Sequence, residues 1–226
     1  MPTVKEIVYP VTDGKPMGEN SLQVKWIHAL MLGFERHFQT RPDVCVSADL
    51  FWYPVEGEPK IVTAPDVMIA FGRPKGERQS YKQWEEDDVA PQVVIEVLSP
   101  SNTPEARRKL AKFYEKYGVE EFYEYDPEAR TLTVHLRSGD TLGPGRPAVS
   151  HTSSLLGVRF ELPPGGELRI TDMTGRPFPR YAELVGEATA HQEELIAARR
   201  RTDEERAKNE RLAAKLRELG IDPDAL

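Results

Sequence analysis

Gln92-Val93-Val94-Ile95-Glu96-Val97-Leu98-Ser99-Pro100-Ser101 is the stretch whose reading decides the fold of this chain. Five of its first seven residues are Val, Ile or Leu, and four of those are β-branched. Such a short, nearly continuous apolar run reads as a strand buried on both faces. Glu96 sits in the middle of it. An ionised carboxylate buried without a partner costs several kcal/mol, roughly, so Glu96 must be paired, protonated or bound to a cation. The helix that follows is marked just as clearly. Thr103 is a good N-cap, Pro104 fits the first helical position, and Glu105 favours the helix dipole. Gly118 stops the helix after Tyr117, and Ala106, Leu110, Phe113, Tyr114 and Tyr117 form its inward stripe. Arg107, Arg108, Lys109, Lys112 and Lys116 against Glu105 and Glu115 make it locally +3.

Upstream, Asn20-Ser21 offers an N-cap for a helix carrying Leu22, Trp26, Leu30, Phe34 and Phe38, with Glu19 just ahead of its positive end. Residues 1–15 show no sustained period and read as a lead-in. Asp43 to Tyr53 alternates, which predicts one half-buried strand, and Lys60 to Thr63 is read as continuing the sheet. Pro65 fits only at a strand's beginning, so Asp66 stands at the entrance of the strand ending near Phe71. Residues 73–91 are a long polar loop, of the kind that often carries function.

Downstream, Phe122 to Tyr125, the turn at Asp126-Pro127 and Thr131 to Leu136 predict a hairpin. Gly157 to Leu162 predicts a further strand, and Leu168 to Ile170 pairs late in the sheet. From 187 to 219 there is no Pro or Gly, and eight basic residues balance eight acidic ones. That composition predicts a long solvated helix ended by Gly220. Leu212, Leu216 and Leu219 have coiled-coil spacing, which raises a homodimer or a helical partner against a simply polar helix. The expected division is a domain over 1–186 and a charged helical tail over 187–226.

At 226 residues and 39 % apolar content, the chain suits one ordinary domain plus an appendage. No run approaches the roughly 20 apolar residues that cross a membrane. No signal-peptide centre opens the chain, and Cys45 stands alone, which together point to the cytoplasm. The five histidines are scattered and there is no Cys-x-x-Cys pairing, so zinc is not expected. The net charge is −7, of which residues 1–186, with 22 basic and 27 acidic residues, carry −5; this acidic body argues weakly against broad nucleic-acid binding, although a local basic face can serve. No dinucleotide fingerprint, phosphate-binding loop or nucleophile elbow is present.

Asp66 and Glu96 lie at two apolar strands that are plausible neighbours. Converging carboxylates repel unless a proton or cation sits between them. Oxygen-only ligation suits Mg²⁺ or Mn²⁺. A lysine on the following helix, Lys109 or Lys112, is placed to reach such a pocket. For Glu96 the competing reading is a buried salt bridge to Arg107 or Lys109.

Pro65-Asp66, then Gln92 to Ser101, then Lys109 through Tyr117-Gly118-Val119-Glu120-Glu121-Phe122-Tyr123-Glu124-Tyr125-Asp126-Pro127 resembles the Uma2 family of restriction endonucleases, within the PD-(D/E)XK nuclease-like superfamily. The similarity covers about residues 16–185, from Pro16-Met17-Gly18-Glu19 to Glu183-Leu184. It implies a mixed α/β (α+β) fold: a restriction-endonuclease-like core with a mixed β-sheet flanked by helices. It implies Asp66 and Glu96 as ligands of Mg²⁺ or Mn²⁺, Glu19 as an auxiliary acid, and DNA as the substrate. The superfamily's lysine two residues after the second acid is Leu98 here. The family's own lysine position, four before Tyr114, is Leu110, flanked by Lys109 and Lys112. Two functions therefore stand: a metal-dependent endonuclease, or a catalytically impaired scaffold that binds protein or nucleic acid.

Overall fold

A computed structural model describes residues 7–10 and 20–218, so Glu19, Leu219 and Gly220 lie outside the described residues. The chain separates into two compact units, Met1–Tyr181 and Ala182–Leu226. In the first unit, α1 (Ser21–His37) leads into the short strands β1 (Val44–Ser47) and β2 (Trp52–Tyr53). Next come β3 (Val67–Phe71), β4 (Tyr81–Lys82) and β5 (Val93–Val97), then α2 (Pro104–Lys116). The hairpin β6 (Glu121–Asp126) and β7 (Thr131–Ser138) precedes β8 (Thr141–Leu142) and β9 (Arg146–Pro147). Three strands close the unit: β10 (Ser150–Ser153), β11 (Val158–Glu161) and β12 (Arg169–Asp172).

The main sheet has the order β1-β3-β5-β6-β7-β8, with β9 added to β7. Only β5 and β6 run parallel within it, because α2 carries the chain back across the sheet between them. The sheet is mixed and has helices on both faces. Side chains of β3, β5 and β6 alternate between two apolar layers. Val67, Ile69, Val93, Ile95, Tyr123 and Tyr125 pack with Ile27, Leu30 and Phe34 of α1. Met68, Ala70, Val94 and Phe122 pack on the other side with Tyr114 of α2 and Trp52. All five β5 residues are buried, as its sequence requires.

Both helix starts follow their caps. Asn20 Oδ1 accepts from the Leu22 and Gln23 amides at 2.7 and 3.3 Å. Thr103 Oγ1 accepts from the Ala106 amide at 3.2 Å, and Gly118 takes φ 94° just past the end of α2.

Three expectations need correction. The strand expected from Asp43 to Tyr53 is broken: β1 ends at Ser47, and Asp49 adopts φ 51°, a left-handed conformation that Asp tolerates better than most residues. β2 then pairs in parallel with β4 as a separate two-stranded piece. Lys60 to Thr63 extends no sheet and supplies a single bridge, Thr63 to Trp52. Finally, β10, β11 and β12 form their own antiparallel sheet, which packs into the α1 layer through Val158, Phe160 and Ile170.

The tail helix α3 (Tyr181–Glu218) begins at the last residue of the first unit and accounts for the described residues of the second. Its described side chains are almost all exposed, and of the leucines with coiled-coil spacing Leu212 is 50 % exposed. No helix among the described residues is long and apolar enough to cross a membrane.

Candidate active site

The β3–β5 ladder pairs Val67 with Ile95, so one step further brings Asp66 opposite Glu96. The β5–β6 ladder pairs Glu96 with Glu124. Three carboxylates thus stand in one row across neighbouring strands, at a strand spacing of about 4.8 Å. The row ends at Thr133 of β7. Glu96 and Glu124 face α2, on the same side as Val94 and Phe122.

Each carboxylate is held differently. Asp66 Oδ2 accepts from the Val97 amide at 2.6 Å, which fixes it at the strand entrance. Glu96, 7 % exposed, accepts at Oε1 from the Tyr114 hydroxyl at 2.6 Å. Burial pushes its carboxyl well above the usual carboxylate range, and the charge of Asp66 adds to this; the Tyr114 hydroxyl pulls the other way. Neither Arg107 nor Lys109 forms an ion pair with it, so the salt-bridge reading of Glu96 is set aside. Glu124 takes Arg107 instead, through Nε at 2.7 Å and Nη2 at 2.8 Å, with His135 Nε2 at 3.3 Å from its second oxygen. Burial alone would raise the Glu124 carboxyl, but the hydrogen bonds from Arg107 and His135 outweigh it and hold it at about 2.

Linkage turns these two shifts into opposite pH dependences. With its carboxyl pushed upward, Glu96 holds its proton to higher pH in the folded state than in the unfolded chain, where it titrates near its ordinary value of 4.5. Stability contributed there falls as pH rises above that value, by up to about 1.4 kcal/mol per pH unit until the folded group also titrates. Glu124 has the reverse sign: its stability is present above 4.5 and is lost as pH falls towards about 2. Urea unfolding of metal-free protein between about pH 5 and about pH 8 should therefore show a decline that Glu96→Gln flattens. An unchanged slope in that variant would remove Glu96 as its source.

A cavity of about 260 Å³ opens on this row, lined by Glu96, Glu124, Arg107, Lys109, Asn102 and Phe113 among others. Leu98 and Leu110, the two positions where a lysine was expected, line it as well. Lys109 therefore shares the Glu96 cavity. Lys112 does not; it lies about 200° around α2 from Leu110, on the exposed side. Asp66 is also outside the lining, being turned to the β5 backbone.

Among the described residues no cluster of three or more His, Cys, Asp or Glu stands ready to hold a metal ion. The donor chemistry fits a hard divalent cation only as a two-carboxylate site. Mg²⁺ accepts such a site, since it keeps most of its waters and takes one or two protein carboxylates.

Three cations of the long loop, Arg73, Arg78 and Lys82, are paired with acids of the same loop. Arg73 pairs with Asp87 at 2.6 Å, Arg78 with Glu86 at 2.6 Å and Lys82 with Glu85 at 3.0 Å.

The profile of the family described as "Uma2: Putative restriction endonuclease" matches residues 10–165. The chain belongs to the Uma2 family. Among curated proteins none matches it. Among solved structures, this Uma2 protein is similar to the crystal structure of "a putative nuclease belonging to DUF820" from Anabaena variabilis. The two are 16 % identical, with a TM-score of 0.44, over 64 % of this chain and 80 % of that one.

Sequence reasoning about this Uma2 chain passed over Glu124, Tyr114 and His135 as site residues, and gave Arg107 no carboxylate partner but Glu96. Glu124 carries the same signal as Glu96, a carboxylate inside an apolar strand, in Glu121-Phe122-Tyr123-Glu124-Tyr125. Nothing in the spacing pairs Arg107 or His135 with it.

Proposed function

We propose that this Uma2 protein is a divalent-metal-dependent endonuclease that hydrolyses DNA phosphodiester bonds. The observation that carries the reading is Glu96: a carboxyl buried in an apolar strand, opposite Asp66, in a cavity that Lys109 also lines. Asp66 and Glu96 would hold Mg²⁺ or Mn²⁺. A bound divalent ion supplies Lewis-acid chemistry, lowering the pKa of water and polarising a phosphoryl oxygen. The chain supplies the rest. Tyr114 fixes the orientation of Glu96. Lys109 offers positive charge to the pentavalent phosphate as its oxygens gain charge. Leu98, Leu110 and Phe113 keep bulk water from the cavity wall. Glu19 remains the auxiliary acid of the proposal.

Calorimetry with Mg²⁺ and Mn²⁺ tests the pocket without a guess at substrate. Wild type should bind one ion at millimolar Mg²⁺ or tighter, and Asp66→Ala and Glu96→Ala should each abolish the heat. Binding that survives both substitutions would place the ion elsewhere.

The second reading is a non-catalytic scaffold, favoured by Leu98 and Leu110 at the lysine positions and by the acidic net charge. It predicts oligonucleotide or protein binding with no cleavage at any divalent-ion concentration.

A further inference from the structure

We propose that Arg107 binds a backbone phosphate of the nucleic acid in the cavity beside Glu96, presented there by Glu124; this rests on the nuclease reading above. A guanidinium carries five N–H donors in a planar fork. The Nε and Nη2 donors of Arg107 reach Glu124 Oε1 and Oε2 at 2.7 and 2.8 Å, so one edge of the fork is fixed to a carboxylate that is itself only 5 % exposed. Nη1 makes no hydrogen bond to a described residue. The side chain remains 35 % exposed, along the lining of the cavity.

An arginine held at one edge and open at the other meets phosphate with little rotamer freedom left to lose. Its neighbours suit the same ligand. Arg107 and Lys109 lie about 200° apart around α2 and flank Ala106 and Leu110, so two cations border one side of the cavity. Glu124 touches no substrate in this arrangement and is a positioning residue. His135 on its second oxygen fixes it in turn.

A purely structural Arg107 would serve only to neutralise Glu124, and a double substitution separates the two roles. Arg107→Gln alone strands a buried carboxylate, whereas Arg107→Gln with Glu124→Gln removes both charges and should return the urea midpoint towards wild type. Binding is read by fluorescence anisotropy on a fluorescein-labelled DNA duplex, with Ca²⁺ replacing Mg²⁺, across a KCl series. The double variant should bind roughly tenfold more weakly than wild type. The slope of log K against log salt should be shallower by about one. A double variant that is stable and binds like wild type, with an unchanged slope, overturns the assignment. Failure of wild type to bind the duplex overturns the nucleic-acid reading, and this assignment with it.

Discussion

Lys109→Ala should lower DNA cleavage at saturating Mg²⁺ by about 10²–10³-fold, the loss usual when one preorganised donor to developing charge is removed, while Lys112→Ala should change it less than about twofold. The two lysines are three residues apart on one helix and chemically identical, so only position separates them. Lys109 lines the cavity that contains Glu96; Lys112 does not. Both side chains are exposed, so neither substitution leaves a hole in the core. Single-turnover cleavage of a labelled duplex would show the difference in the chemical step rather than in binding. Equal losses in the two variants would mean that the basic face of α2 acts only as diffuse charge, and Lys109 would lose its role.

Trp52→Ala should be the most damaging core substitution near the site, costing about 3–5 kcal/mol. Trp52 has 0 % exposure and stacks on Tyr114 at 6.3 Å with 7° between the rings. Phe113 meets it edge-on at 5.6 Å, and its indole N–H donates to Gln83 Oε1 at 3.2 Å. The loss corresponds to a fall in Tm of about 10 °C for a chain of this size. It also reaches the chemistry, because Tyr114 is the residue that holds Glu96. Where the variant is still folded, its Mg²⁺ affinity should drop together with its unfolding midpoint. A variant that keeps the wild-type Tm, or loses stability with unchanged Mg²⁺ affinity, would separate Trp52 from the support of Glu96.

What the sequence made legible follows from how local each signal is. β5 and both ends of α2 are written in contiguous residues: an apolar run, Thr103-Pro104, and Gly118. They appear where expected. Asp66 and Glu96 could be paired because one stands at the entrance of its strand and the other breaks the apolar pattern of its own. The split of the Asp43–Tyr53 segment was hidden, since alternation continues through Asp49 and only its backbone conformation breaks the strand. The pairing of Arg107 with Glu124 was hidden for a different reason. They meet because α2 returns the chain across the sheet, a contact that no spacing rule encodes. The choice between Lys109 and Lys112 likewise turned on which side of α2 faces the row of carboxylates. In the loop, Arg73, Arg78 and Lys82 precede the acids at 85–87 in the chain, and only folding pairs them.

The carboxylate in β5 has a consequence for how the chain finds its fold. A strand that is apolar on both faces can slide against its neighbour at little cost, since a one-residue slip exchanges one set of Val and Ile for another. Glu96 removes that freedom. Slipped by one, its carboxyl would enter the layer of Ile27, Leu30 and Phe34, away from the Tyr114 hydroxyl. The same side chain thus proofreads strand alignment, and a molecule in which the site has assembled has already rejected its nearest misfolded alternative.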